Sequence, residues 1–120
     1  MKQNLKLIIL LFLITSCTYK KGIKIKIIND SSFKIENVKF SAENSFIYVK
    51  NLEKGKNFNN VLDMNNISHG DGSYQLTYKI NNLTKSINTG YFTNGKPLDK
   101  NMQIIIKNDT VFVDYKINSF

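Results

Sequence analysis

The chain has one cysteine, one proline, one histidine, no tryptophan and no arginine. One cysteine cannot close an intrachain disulfide or build a multi-thiolate metal site. The absence of arginine argues against nucleic acid as a partner, because bidentate readout of phosphates and base edges relies on that side chain. Long hydrophobic runs are also lacking. The longest, Leu7 to Ile14, falls well short of the ~20 residues a helix needs to cross a bilayer. Acidic residues are few: nine against 17 lysines, for a formal charge of +8. At 120 residues the chain has room for one domain with one core.

The apolar run belongs to an N-terminal pattern. Lys2 and Lys6 form a positive n-region, and Leu5 with Leu7 to Ile14 forms an apolar h-region. Ile14, Thr15, Ser16 and Cys17 follow directly. The arrangement reads as an export signal. It resembles the signal and lipobox of bacterial lipoproteins, with Ile14 in place of the commoner leucine. The resemblance covers the first 17 residues. It implies cleavage before Cys17, lipidation of the Cys17 thiol and acylation of the new N-terminus, so that the protein is held on a membrane. Several acyl chains make such attachment stable, where one is marginal.

The expected organisation is a signal peptide over 1–16, a lipidated cysteine and short tether over 17–22, and a single domain over 23–120. Loss of Lys2 and Lys6 takes the 17 basic residues to 15 against nine acids, a mature balance of +6. Thr18 to Gly22 reach under ~20 Å at roughly 3.3–3.6 Å per residue, so the domain sits close to the membrane. Thr18-Tyr19-Lys20-Lys21-Gly22 is basic, the opposite of the acidic tag that sends some lipoproteins to the cell surface. The expected location is therefore the cell envelope, lipid-anchored, at an outer membrane and facing the periplasm. Lys20, Lys21, Lys24 and Lys26 favour an anionic surface nearby, while Lys24 and Lys26 also fit the solvent face of a first strand.

The mature chain shows period-2 patterning and no helical period. Ile23, Ile25 and Ile27 alternate with Lys24 and Lys26. Ile35, Val38, Phe40 and Ala42 form a second run whose parity breaks near Glu36-Asn37, which predicts a bulge. Phe46 to Val49 and Phe58 to Met64 are further strands, separated by the turn Glu53 to Asn57. Asn65 to Ser73 reads as a loop. Tyr74, Leu76, Tyr78 and Ile80 alternate, Asn81-Asn82 makes a two-residue turn, and Leu83, Ile87 and Tyr91 mark the return. Thr93 to Pro97 is a second loop. Met102 to Lys107 pairs with Thr110 to Ile117, with Val111, Val113, Tyr115 and Ile117 on one face. Seven to eight evenly spaced short strands predict an all-β antiparallel sandwich of immunoglobulin- or transthyretin-like architecture.

No convergent catalytic set stands out. Ser68, His69 and Asp71 lie within one turn, whereas a triad draws its members from separate elements; the segment reads as a glycine-rich loop. Asp63, Asn65 and Asp71 supply oxygens but miss the spacing of a calcium loop, so neither metal nor cofactor is expected. Asp109-Thr110-Val111 resembles a short acceptor for O-glycosylation at Thr110, but three residues describe a turn entering a strand more simply. Tyr91 and Phe92 are adjacent aromatics in a strand, so one of them faces outward, either covering the end of the sandwich or free to stack on a sugar or dock a partner. The expected function is a non-catalytic binding or structural module of the envelope. It is held on the membrane by its lipid, with an envelope protein as possible partner. The alternative is an inhibitor or immunity protein whose positive surface steers an acidic toxin or enzyme.

Overall fold

A computed structural model describes residues 21–115, which form nine strands and no helix. The leader, Cys17 and the tether up to Lys20 lie outside the described residues, as does the end of the chain from 116 to 120. The strands are β1 (Gly22–Asn29), β2 (Ile35–Ala42), β3 (Ser45–Leu52), β4 (Asn57–Asp63), β5 (Gly72–Ile80), β6 (Leu83–Thr93), β7 (Lys96–Pro97), β8 (Asn101–Ile106) and β9 (Val111–Asp114). One sheet has the order β4-β1-β8-β9 and the other β3-β2-β5-β6-β7. The protein is an all-β sandwich.

Alternation in the sequence becomes alternation in burial. Ile23, Ile25 and Ile27 point inward against Met102, Ile104 and Ile106, while Tyr74, Leu76, Tyr78 and Ile80 do the same from the opposite sheet. Phe40, Tyr74 and Phe92 form an aromatic chain through the core, with ring centroids 5.3 and 5.4 Å apart. Gly72 is required beside it, since a Cβ there would collide with the Phe92 ring.

The bulge falls where the parity broke. Between Glu36 and Lys39 the register of β2 against β5 shifts by one residue, and Asn37 takes a φ of 52°. Ile35 and Val38, three apart, are thereby both buried. Asn81 and Asn82, at φ 48° and 64°, make the tight turn between β5 and β6, a conformation that asparagine tolerates better than most residues.

Two features differ from the sequence expectation. β1 pairs with β4 antiparallel but with β8 in parallel, Ile27 opposite Ile104. A parallel pair needs a long crossover, and here the crossover runs through the whole of the second sheet. The ninth strand is β7, two residues inside the segment read as a loop, pairing Phe92 with Pro97 and Thr93 with Lys96.

Asn29 ties the two sheets together at one end. Its side chain is fully buried. Its Nδ2 donates to the carbonyls of Phe33 and Leu52, both at 2.8 Å. Its Oδ1 accepts from the Ser31 amide at 3.0 Å and the Ser31 hydroxyl at 2.6 Å. Its own backbone bonds Gly55 and Lys56 in the β3–β4 turn. Asn29→Leu keeps the volume but takes the side-chain partner from the Leu52 carbonyl and the Ser31 amide, while the Ser31 hydroxyl and the Phe33 carbonyl keep each other at 3.0 Å. At about 1–3 kcal/mol for each buried group left unpaired, we expect a loss of at least about 2 kcal/mol. The urea midpoint should fall with unchanged m-value; an unchanged midpoint would contradict this role.

Candidate functional site

β6 and β9 flank the open side of the sandwich, and a cleft with aromatic side chains lies between them. β6 explains its shape. One extra residue enters β6 between the partners of Tyr74 and Gln75, so Thr89 and Gly90 are buried in succession. Such a bulge twists a strand and re-aims its side chains. Gly90 has a second use: a Cβ there would sit 2.6 Å from the Tyr115 hydroxyl and 3.1 Å from its ring. Without one, Tyr115 lies on the β6 backbone and donates its hydroxyl to the Thr89 carbonyl.

The result is a cleft of about 590 Å³. Gly90 and Tyr91 line it from β6, Leu98 and Asp99 from the β7–β8 connection, Val113 from β9 and Tyr115 from just beyond it. Tyr91 is 67% exposed and Leu98 62%. The lining is apolar and aromatic with a few polar groups, the usual composition of a ligand site. Burial, then the nearby Asp99 carboxylate, holds the Tyr115 hydroxyl above its ordinary value of 10.0. The same two causes, in the same order, push Tyr74 up more strongly. Beneath the cleft the Thr89 hydroxyl is buried without a hydrogen-bond partner.

The residues singled out in the sequence separate. Tyr91 faces solvent at the cleft, and Phe92 is 1% exposed in the core, so the adjacent pair divides into one surface and one structural aromatic. Ser68 gives its hydroxyl to Glu43 at 2.5 Å and its amide to the same carboxylate at 3.1 Å, which lowers the Glu43 pKa below its ordinary value. His69 is exposed beside it. Asp71 accepts from the Asn94 amide at 3.1 Å. Asp63 accepts from the amide and side chain of Asn65 at 2.9 and 2.7 Å. These acids brace turns. Among the described residues no group of three or more His, Cys, Asp or Glu is placed to hold a metal ion. Thr110 lies on the exposed β8–β9 turn, its carbonyl accepting from Lys107 at 2.9 Å. Cys17 lies outside the described residues.

No family model matches the chain, and no curated protein matches its sequence. One solved structure, described as "NMR structure of the protein from Eubacterium rectale", matches with a TM-score of 0.57 at 13% identity. The match covers 80% of this chain and 91% of that one. At that identity the likeness is one of fold alone.

Leu98, Asp99 and Thr89 carried no sequence signal. The first two sit in an irregular connection, and the third is a threonine in a strand. Tyr115 is legible in the sequence only as part of a row on one face of the last strand.

Two expectations follow from this geometry. Thr89→Val removes an unpaired buried hydroxyl at nearly constant shape, so the melting temperature should rise, by the equivalent of about 1 kcal/mol; a fall would show that the hydroxyl has a partner. Tyr74, Tyr78 and Tyr115 all have raised values, so the folded state keeps protons that the unfolded state loses. Stability should hold below pH 10.0 and fall as pH rises beyond it. A pH series of urea midpoints should show a shallower alkaline fall for Tyr74→Phe than for wild type.

Proposed function

We propose that the protein is a lipid-anchored component of the bacterial cell envelope, and that its domain is a non-catalytic binding module whose partner engages the β6/β9 cleft. The anchor rests on the n-region, the h-region and Ile14-Thr15-Ser16-Cys17. The observation that carries the binding reading is the exposure of Tyr91 and Leu98 at the rim of an apolar cleft. Large apolar side chains clustered at a concave opening favour a partner over bulk water.

Two strand edges flank the same opening. β7 covers only Phe92 and Thr93 of β6, so the stretch from Leu83 to Asn88 has no outer strand among the described residues. An envelope protein is the partner we favour, reached from a fixed position close to the membrane surface. Within that reading an acidic inhibitor target is the variant favoured by the mature balance of +6, which speeds encounter with negative partners.

A photo-cross-linker placed at Tyr91 in intact cells tests the proposal. We expect one discrete protein adduct from Tyr91 and none from Gln75, which is exposed on the outer face of β5. Equal labelling from both positions, or no adduct from Tyr91, would remove the cleft as the binding face.

A further inference from the structure

The cleft differs in charge from the chain that builds it. The chain is basic, at +8, yet among the described residues that line the cleft Asp99 alone carries a charge. Lys96 and Lys100 flank Asp99 in sequence without lining the cleft. Among the described residues, ion pairs join Lys34 to Glu36 and Lys107 to Asp30, and the half-buried Asp99 carboxylate is in neither. Burial, then Asp99 and Tyr91, raise the Tyr115 hydroxyl, which places these three groups around one space.

Two tyrosine rings stand beside that carboxylate, Tyr91 and Tyr115, both of them exposed. A ring face attracts a cation held within about 6 Å of its centroid. The protein uses that attraction elsewhere: Lys39 Nζ lies 4.7 Å from the Phe46 centroid, and Lys107 Nζ lies 5.6 Å from that of Phe112. Among the described residues no lysine lies over Tyr91 or Tyr115. Thr89 belongs to the same lining, and its buried hydroxyl is unpaired. The cleft thus holds a carboxylate, two ring faces and a hydroxyl that the fold itself does not use.

We propose that the cleft takes a lysine side chain of the partner protein. The proposal rests on the reading of the cleft as the binding face and names what enters it. The ammonium group meets the Asp99 carboxylate, with the rings of Tyr91 and Tyr115 flanking the charge. The methylene stem lies along Leu98 and Val113, as lysine stems do on apolar surface. An acidic side chain would be repelled by Asp99. An apolar one would cover that carboxylate without supplying a counter-charge. The surface around the cleft is basic, so the lysine fits best within a partner surface that is otherwise acidic.

Titration of the full-length protein in maltoside micelles with two tripeptides tests it, read from backbone amide chemical shifts. One peptide carries lysine between two alanines. The other has norleucine there, the same carbon stem without the ammonium. We expect the lysine peptide to bind at least about fivefold more tightly, with shifts centred on Tyr91, Asp99 and Tyr115, and added salt to narrow the gap. Asp99→Asn should bring the lysine peptide to the norleucine level. Tyr91→Phe should keep the lysine preference and Tyr91→Leu should reduce it, since a ring face and not a hydroxyl meets the charge. Neither side chain belongs to the core, so these variants fold. No binding of the lysine peptide, equal binding of the two peptides, or unchanged binding by Asp99→Asn would overturn the proposal. So would tighter binding of choline, which would put a free quaternary ammonium in the cleft. Binding that emerges only in Lys116→Ala would put the chain's own lysine there and overturn it too. Equal binding of the two peptides would still leave the cleft as the binding face, since the Tyr91 cross-link reads any protein partner.

Discussion

The buried side chain of Asn29 fixes the relation between the two sheets. It sits at the end of β1, and its bonds reach the loop after β1, the end of β3 in the opposite sheet and the turn into β4. An apolar residue there would leave carbonyls facing a dry interior. A buried polar group of this kind stabilises only when all its partners are present, so the local geometry has one arrangement. That arrangement brings β4 beside β1 and seats β1 at the centre of its sheet. The first strand is thus an internal one, paired on both sides.

From this frame the open side follows. β3 and β4 are consecutive edge strands of different sheets, joined by a short turn that closes one side of the sandwich. On the other side β9 is four residues long and β7 only two, so the sheets are not stitched together there. The bulge at Thr89 and the bare backbone of Gly90 let Tyr115 lie across the gap. The cleft is what remains when the core is complete but one edge is left uncovered. Binding by such a site costs the fold little, because its exposed side chains are not needed for packing.

Local chemistry was readable in the sequence where it obeys a local rule. The Ile–Lys alternation of β1, the parity break at Glu36-Asn37 and the Asn81-Asn82 turn each depend on residues within a few positions of one another. The parallel partner of β1 depends on residues more than seventy positions away, and no periodicity encodes that choice. Nothing in the pattern marks Asn29, because its value depends on the Leu52 carbonyl, 23 residues away, and on a loop path that brings Ser31 and Phe33 back to it. Tyr91 could be assigned to the surface only as one of a pair. Burial of Phe92 against Tyr74 and Gly72 decided which of the two it was. Leu98 and Asp99 join the cleft through the path of an irregular connection, which sequence pattern does not describe.

The proposed function puts a folded binding domain on a short leash that begins at Cys17. On the proposed reading, an anchor there would set the reach of the cleft and the partners available to it. The measurement that tests this most directly is the intact mass of the mature protein extracted from membranes, with sequencing of its N-terminal peptide. The account predicts a chain beginning at Cys17 and heavier than its polypeptide by attached acyl groups, with the increment lost in Cys17→Ala. A mature chain beginning elsewhere, or beginning at Cys17 with an unmodified thiol, would contradict it.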